Sequence, residues 1–304
     1  MITLSDGKIV ATRVSSTPDM LGESPLWDDR RQRLYWVDGV SCLIRWHDLG
    51  SGEFGQTGTP SMIGSIGLCE DGRLVAGLFD QIALIDPDTG AVTPLYRPAR
   101  PNERMRFNDG KVDRQGRFVC GGMGVYAEPV GELVRVSGDG SAQVLANGIR
   151  IANGICFSPD GRTMYFADSL DRFIRACNYA GGEDDDELAC PRVFADTQQF
   201  NSGPDGATVD AEGYVWVCLI NIGKIARFAP SGKLDRLIEA PTDMPSCVAF
   251  GGADLATLYV TSIKDSGSGR AISRHPHGGC LYALDGLGVK GLAEPRLMLE
   301  PADV

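Results

Sequence analysis

The sequence predicts an all-β fold, a six-bladed β-propeller formed by a single domain over residues 1–304, and three observations support this prediction. A turn rich in Asp and Gly, followed at once by a run of large apolar residues, recurs six times along the chain. A second short apolar segment follows each of these runs. No stretch shows the long apolar period of an amphipathic helix. Repeats of about 40–50 residues that each hold several strands are typical of β-propellers.

The first strand of each repeat comes directly after the Asp- and Gly-rich turn. With Leu34, Leu74, Phe118, Met164, Val215 and Leu258 as reference points, successive repeats are 40, 44, 46, 51 and 43 residues apart. Six strands are predicted in this way, within Arg33–Asp38, Asp71–Gly77, Gln115–Cys120, Asp160–Asp168, Glu212–Cys218 and Leu255–Thr261.

A second strand is predicted in the other half of each repeat, from its alternating pattern and β-branched residues. These strands lie in Leu43–Asp48, Ile82–Asp86, Leu133–Val136, Ile174–Cys177, Ile225–Phe228 and Leu281–Asp285. Gly- and Asp-containing turns follow them and predict hairpins. With about four strands in each repeat, the chain makes six blades. Lys8–Val14 precedes the first repeat and has no partner there, so we expect it to pair into the last blade and close the ring, which removes exposed strand edges.

Composition limits the classes of partner. The net charge of −11 argues against nucleic acid as a partner, because that affinity comes mainly from Lys and Arg. The nine cysteines are scattered singly, which indicates reduced thiols in a reducing compartment. Neither a signal peptide nor an apolar run long enough to span a bilayer is visible. We therefore expect a cytoplasmic protein without a membrane partner, and we expect a monomer or a weak homo-oligomer.

A column of mostly polar residues emerges when the repeats are aligned on their turn glycines. Counting eight residues back from Gly72, Gly116, Gly161 and Gly213, and taking the same place in the first and last repeats, gives Gly64, Asn108, Asn153, Asp205, Glu23 and Ser246. We expect these residues at the start of the innermost strand of each blade, beside the central channel. Asn, Asp and Gly are also ordinary turn residues. The common register nevertheless favours a shared site on the axis, and its carboxylate and amide oxygens are the ligands that hard divalent cations use.

Several motifs, spread over nearly the full length, resemble those of the SMP-30/gluconolactonase family, which includes regucalcin and bacterial sugar lactonases. The resemblance lies in Gly22–Trp27 (GESPLW), Arg106–Asp113 (RFNDGKVD), Ala152–Gly154, Pro204–Gly206, Asp210–Gly213, Ser246–Gly252 and Gly286–Gly291. Because these motifs follow one another in order over nearly the full length of the chain, the resemblance is specific.

This resemblance implies one divalent metal ion at the mouth of the channel, with Glu23, Asn153 and Asp205 as its protein ligands. It also implies that Arg106 and Asn108 bind the substrate and that Asp205 serves as the general base. The oxygen ligands suit Ca²⁺ or Zn²⁺, which we expect first, and also Mg²⁺, Mn²⁺ or Fe²⁺.

One departure from the family pattern concerns the sugar. Animal members place an acidic substrate contact shortly after a Gly-x-Met motif, whereas here Gly121–Met123 is followed by Tyr126 at that place. Glu128, two residues further on, is the alternative contact. Both residues are therefore candidate substrate-binding residues.

The resulting hypothesis is a metal-dependent hydrolase that opens sugar lactones, such as glucono-, galactono-, xylono- or arabinonolactone, to the sugar acids. The metal would polarise the lactone carbonyl, and Asp205 would activate water. Two alternatives stay open: a hydrolase of other esters or phosphotriesters, and a non-enzymatic regulatory protein that binds a divalent metal.

Two further segments have both a functional and a plain interpretation. His275 and His277 form either a metal motif or part of a surface loop, residues 263–279, that covers the channel mouth as a lid. Glu183–Glu187 is either a calcium site or the solvated tip of a hairpin, and its spacing favours the tip. No G-x-S-x-G motif is present, which argues against a serine hydrolase.

Overall fold

The computed structural model describes residues 2–4, 8–99, 102–179, 188 and 192–299, so the acidic segment Glu183–Glu187 lies outside the described residues. Six sheets are arranged in a ring, and the innermost strand of each sheet contacts the innermost strands of the sheets on both sides. This arrangement confirms the predicted six-bladed β-propeller. Among the described residues the one helical element is the 3-10 turn Gln198–Phe200, and no helix there is long and apolar enough to cross a membrane.

The strands follow one another along the chain, usually four to a blade. β1 (Ile2–Thr3) and β2 (Val10–Arg13) come before blade one, which contains β3 (Gly22–Asp28), β4 (Arg33–Asp38), β5 (Leu43–Asp48) and β6 (Phe54–Gly58). Blade two contains β7 (Ile63–Cys69), β8 (Leu74–Leu78), β9 (Ile82–Ile85) and β10 (Val92–Tyr96). Blade three contains β11 (Met105–Val112), β12 (Phe118–Gly124), β13 (Gly131–Val136) and β14 (Ala142–Ile149).

The second half of the ring repeats this order. Blade four contains β15 (Ala152–Phe157), β16 (Thr163–Asp168), β17 (Phe173–Asn178) and β18 (Arg192–Asp196). Blade five contains β19 (Pro204–Val209), β20 (Val215–Leu219), β21 (Lys224–Phe228) and β22 (Leu234–Glu239). Blade six contains β23 (Pro245–Gly251), β24 (Thr257–Ser262) and β25 (Tyr282–Asp285), and β26 (Arg296–Leu297) ends the series.

The N-terminal strand closes the ring, as predicted. β2 pairs antiparallel with β25, from Val10 opposite Asp285 to Arg13 opposite Tyr282, and β1 adds to its outer side. Blade six is therefore built from both ends of the chain. Closure in this way satisfies the backbone groups of an edge that would otherwise be free to pair with another molecule.

The C-terminal strand makes a contact that the sequence did not predict. β26 pairs in parallel with the far end of β7, Arg296 opposite Leu68 and Leu297 opposite Cys69. The Arg296 guanidinium lies 2.7 Å from Asp28 Oδ1 and 2.6 Å from Asp29 Oδ1. The segment therefore lies at the end of the channel remote from the start of the innermost strands.

The core lies between neighbouring blades. Trp216 on β20, for example, meets Phe250 on β23 edge to face, with ring centroids 5.9 Å apart. Trp27 and Trp36 of blade one pack with Tyr259 of blade six. Because each apolar sheet face is covered by the next blade, the ring is held together by burial between sheets rather than by one central core.

The cysteines differ in part from the expectation of reduced thiols. Cys42, Cys69, Cys120, Cys156, Cys218, Cys247 and Cys280 are free thiols, as expected. Cys177, buried on β17, is disulfide-bonded, so the expectation was wrong there. Sequence spacing does not show which sulfur atoms the fold brings within bonding distance.

Candidate active site

A β-bulge interrupts the innermost strand of every blade at the same place. The register shifts lie between Glu23 and Leu26, Ile63 and Ser65, Phe107 and Gly110, Asn153 and Cys156, Pro204 and Ala207, and Pro245 and Val248. Each of the six column residues stands at one of these bulges, in the first half of its strand. A bulge breaks the two-residue alternation of the strand and redirects a side chain. The same β-bulge is therefore repeated six times around the axis, once in each blade.

Five of the six column residues line one cavity of about 240 Å³ at the mouth of the channel: Glu23, Gly64, Asn108, Asn153 and Asp205. Arg106 lines it as well. The cavity draws residues from all six blades, so no single repeat contains the site. The structure therefore brings together the candidate metal ligands and two of the four candidate substrate contacts.

A chain of hydrogen bonds orients the amide groups of the site. Arg106 Nη1 donates to Asn108 Oδ1 over 2.8 Å, and Asn108 Nδ2 donates to Asn153 Oδ1 over 3.0 Å. Asn153 Nδ2 donates to Ser169 Oγ over 2.8 Å, and Ser169 donates to the Pro204 carbonyl oxygen over 2.7 Å. Because an Arg can only donate, the direction of every bond in this chain is set. Asn153 Oδ1 is consequently an acceptor and keeps one lone pair for a further ligand.

Glu23 and Asp205 are carboxylates in an environment that penalises their charge. Burial raises the pKa of Asp205 to about 8, and the nearby Asp109 carboxylate adds to the rise. Burial, then Asp205 and Asp109, likewise raise the pKa of Glu23 well above its usual range, against a lowering by Arg106. Neither Glu23 nor Asp205 belongs to an ion pair among the residues that the structure describes. A positive charge placed between them would be strongly stabilised.

Asp109 was not singled out from the sequence, although it follows Asn108 directly. Its carboxylate is buried, and its Oδ2 accepts a hydrogen bond from the Ile155 backbone N–H over 2.8 Å. Burial raises its pKa, against opposing hydrogen bonds from backbone N–H groups. The hydrogen bond of Asp109 therefore connects blade three to blade four. The negative charge of Asp109 raises the pKa of both Glu23 and Asp205.

Glycines in and beside the column permit close approaches between blades. A Cβ atom on Gly64 would lie 2.3 Å from the Asn108 carbonyl oxygen, and one on Gly206 would lie 2.2 Å from Cys247 Sγ. Gly154 has a φ of +66°, which side chains rarely adopt. Gly64 is thus no ligand. Because Gly64 has no side chain, the backbone of Asn108 can come near the axis.

Three sequence candidates do not line the cavity. Ser246 is buried and donates to the Gly22 carbonyl oxygen over 2.5 Å, so it joins blade six to blade one. Tyr126 is 73% exposed. Glu128 pairs with Arg104, which lowers the pKa of Glu128. The role of Tyr126 and Glu128 in substrate binding stays a prediction.

The segment 263–279 begins with a small hairpin at the channel mouth. Ser266 N–H donates to the Ala271 carbonyl oxygen over 2.9 Å, and Asp265 bridges to Ile272. Ser266, Ser268, Arg270 and Ala271 of this hairpin line the cavity. His275 and His277 lie beyond it, and His277 Nδ1 contacts Arg13 Nη1 at 3.1 Å. The surface-loop interpretation of the two histidines agrees with these contacts.

Sequence reasoning missed several residues that line the cavity from the connecting loops. Ser169 follows β16, Arg172 precedes β17, and Arg270 lies in the hairpin after β24. These loops share no register with the turn glycines that located the column. Their only sequence signal is that they follow the second strand of a blade, at the same end of the ring as the column.

Comparisons with known proteins identify the family of this chain. The family profile described as "SMP-30/Gluconolactonase/LRE-like region" matches residues 21–264. A 6-deoxy-6-sulfogluconolactonase of Pseudomonas putida is 34% identical over 281 residues, 91% of this chain and 95% of that protein. An L-arabinolactonase of Azospirillum brasilense is 35% identical over 278 residues, 90% of each chain.

A solved structure gives the same result. A regucalcin of Agrobacterium tumefaciens, described as a calcium-binding protein, superposes with a TM-score of 0.84 at 27% identity, over 96% of this chain and 98% of that one. The family profile covers most of the propeller, and two relatives exceed 30% identity over nine tenths of the chain. This chain therefore belongs to the SMP-30/gluconolactonase/LRE-like family.

Proposed function

We propose that the chain is a lactonase that hydrolyses sugar lactones to the open-chain acids with the help of one divalent metal ion. The observation that carries this proposal is the pair of partly or fully buried carboxylates, Glu23 and Asp205, beside the oriented amide of Asn153 in the channel-mouth cavity. Relatives named as lactonases of a sulfonated hexose and of a pentose support the same reaction class.

The residues present fit a divalent cation. Burial raises the pKa of both carboxylates, and Asp205 raises that of Glu23 further; without an ion-pair partner among the described residues, the two have the charge that a cation would balance. The Asn153 amide offers a neutral oxygen whose direction is set by Asn108. Among the described residues no three His, Cys, Asp or Glu side chains gather as a metal site, so the proposed set is two carboxylates and one amide. An all-oxygen set of this kind suits Ca²⁺ and also accepts Zn²⁺, Mg²⁺, Mn²⁺ or Fe²⁺.

A bound cation would supply Lewis-acid polarisation of the lactone carbonyl. Asp205 takes a proton from the attacking water as the water oxygen bonds to the carbonyl carbon. The bond between that carbon and the ring oxygen then breaks, and the proton passes to the ring oxygen, which becomes a hydroxyl group. Arg106 places a buried positive charge beside the developing oxyanion or a sugar hydroxyl, and Asn108 holds Arg106 Nη1 in place.

Lactone hydrolysis followed with a pH indicator tests the proposal. The panel contains glucono-, galactono-, xylono- and arabinonolactone, with an aryl ester and a phosphotriester for the alternative hydrolase. We expect turnover of at least one lactone, its loss with a chelator, and its recovery when Ca²⁺ or Zn²⁺ is added. Asp205→Asn should lower kcat by about 100-fold or more if Asp205 is both ligand and base, whereas Asp139→Asn, on a surface hairpin, should leave it unchanged.

The results separate the alternatives. Turnover of no lactone above the blank contradicts the proposal. Metal binding without turnover of any ester would favour the non-enzymatic regulatory role, which the calcium-binding regucalcin structure makes the second candidate. Full activity in Asp205→Asn would leave the reaction standing and reject the assigned site.

A further inference from the structure

The rim of the cavity is basic although the protein is acidic. The chain has a net charge of −11, yet Arg106, Arg172 and Arg270 all line the cavity. The described partners of the two rim arginines are neutral: Arg172 Nη1 donates to Asn201 Oδ1, and Arg270 Nη2 donates to the Tyr126 carbonyl oxygen, each over 2.7 Å. Neither rim arginine forms an ion pair within the described part of the chain. Both guanidinium groups therefore carry a charge that no described carboxylate pairs with.

Arg172 is held in position by its own backbone. It occupies the left-handed region, with a φ of 61°, in the turn between β16 and β17. The Thr197 N–H and hydroxyl both donate to the Arg172 carbonyl oxygen over 2.9 Å. Asn201, which also lines the cavity, orients the side chain. A non-glycine residue at positive φ is strained, so the surrounding contacts hold Arg172 at the rim against local strain.

Arg270 reaches the cavity from blade six, two blades away from Arg172 in blade four. It lies at the tip of the hairpin after β24 in blade six, next to Gly269, which has a φ of +71°. Its hydrogen-bond partner Tyr126 lies after β12 in blade three, three blades away in a ring of six. This contact thus joins loops of two opposite blades beside the cavity that Arg270 lines. The two hydroxyl groups of Ser266 and Ser268 lie on the same hairpin and line the same cavity.

The charge of the cavity favours an anionic ligand. Glu23 and Asp205 are the two acidic residues that line it, and both lie on innermost strands, whereas Arg172 and Arg270 lie on loops further out. A neutral sugar lactone with its carbonyl at the floor would leave both rim guanidinium groups without a counter-charge. Guanidinium groups bind phosphate, sulfonate and carboxylate oxygens through paired, charge-assisted hydrogen bonds.

We propose that the lactone substrate carries an anionic group, a phosphate, a sulfonate or a carboxylate, at the end remote from its carbonyl, and that Arg172 and Arg270 bind this group at the rim. The inference rests on the proposed lactonase function for the position of the carbonyl. It assigns Arg172 and Arg270 as specificity-determining residues, which hold the substrate without taking part in bond breaking.

Paired substrates test the inference. We would compare kcat/KM for glucono-1,5-lactone with kcat/KM for the same ring carrying phosphate or sulfonate at C6, and for a hexuronic lactone carrying a carboxylate. Charge-assisted hydrogen bonds predict a preference for at least one charged lactone of about 10- to 100-fold. The charged lactone with the highest kcat/KM identifies the anionic group, and its preference over the neutral lactone should become smaller as the ionic strength rises.

Variants locate the effect. Arg172→Gln and Arg270→Gln should each lower the ratio of charged to neutral kcat/KM by about tenfold, mainly through KM. Arg30→Gln is the matched control, because it removes the same charge at the opposite end of β3, where Arg30 pairs with Glu70. It should leave the ratio unchanged. An equal fall in the control would mean that net charge, and not the rim, sets the preference, and the inference would fail.

Binding of glucitol 6-phosphate against glucitol, measured by calorimetry, separates this inference from the proposed function. If the phosphate ester binds more tightly and Arg172→Gln abolishes the difference, the anion site stands even where no lactone is opened. If a lactone is opened but the neutral ring is preferred to all three charged ones, the lactonase proposal stands and the anion site is rejected. If glucitol and its phosphate bind equally and no charged lactone is preferred to the neutral ring, the anion site is rejected as well.

Discussion

Replacing Asp205 with Asn tests the electrostatic account of the site in the metal-free protein. Burial and Asp109 raise the pKa of Asp205 from its ordinary value of 3.8 to about 8. Between these values the folded protein keeps a proton that the unfolded chain releases. The free energy of unfolding must therefore fall as the pH rises, since the folded state binds more protons than the unfolded state. The contribution is fully present below pH 4 and is lost by about pH 8.

The size of the effect follows from the number of protons. One group that stays protonated only in the folded state removes about 1.4 kcal/mol from the free energy of unfolding for each pH unit. From pH 5 to pH 7 the loss is roughly 3 kcal/mol, a large share of the 5–15 kcal/mol typical of folded proteins. Glu23 changes stability in the same direction. Asp205→Asn removes the contribution of Asp205 and lessens that of Glu23, because a neighbouring carboxylate is gone.

Urea unfolding at pH 5, 6 and 7 in the presence of a chelator measures this slope, and the protons released on unfolding at pH 6 provide an independent readout. We expect wild type to lose about 3 kcal/mol more than Asp205→Asn between pH 5 and pH 7 and to release about one more proton. Asp139→Asn is the control: hydrogen bonds from Ser141 lower the pKa of the Asp139 carboxyl, so it is ionised in both states over this range. Its slope should equal that of wild type.

Equal slopes for wild type and Asp205→Asn, or a stability of wild type that rises with pH, would refute the reasoning. Adding a divalent cation provides a second test of the same site. At 100 times its dissociation constant it should stabilise wild type by about 2.7 kcal/mol, and more at pH 7 than at pH 5, because protons compete for the same carboxylates. A stabilisation that is equal in Asp205→Asn would mean that the cation binds elsewhere.

Two further substitutions test the packing that supports the site. Gly64→Ala would place a Cβ atom 2.3 Å from the Asn108 carbonyl oxygen. The displacement of Asn108 should lower kcat/KM by about tenfold or more. Gly58→Ala is the control, because no atom lies within 4 Å of the added Cβ, and it should leave kcat/KM unchanged. Equal kcat/KM values for the two variants would show that the backbone of Asn108 tolerates the shift. Arg296→Met leaves Asp28 buried without its ion-pair partner and should lower the free energy of unfolding, measured with urea, by about 3 kcal/mol. An unchanged urea midpoint would mean that β26 contributes little to the stability of the ring.

Much of the fold can be predicted from the sequence because its strands carry local signals. Arg33–Asp38 and Leu43–Asp48 are β4 and β5 residue for residue, since alternation marks the strand and an Asp- or Gly-containing turn marks its end. The pairing of Lys8–Val14 into blade six was also predictable, because this strand had no partner in its own repeat. The strand β26 was not predicted, since its two residues pair in parallel with a distant strand and carry no period of their own.

The sequence by itself determined the ring, the column and the candidate ligands. In four of the six repeats the turn glycine lies eight residues after the column residue, so a count along the chain located Asn153 and Asp205 without coordinates, and the equivalent place in the first repeat gave Glu23. Only the tertiary structure decided what surrounds them. Ser169 meets the Pro204 carbonyl oxygen, and Arg270 of blade six meets the Tyr126 carbonyl oxygen of blade three, through contacts between segments far apart in the chain. Such contacts depend on how loops from different blades pack above a common axis, and no local periodicity encodes that packing.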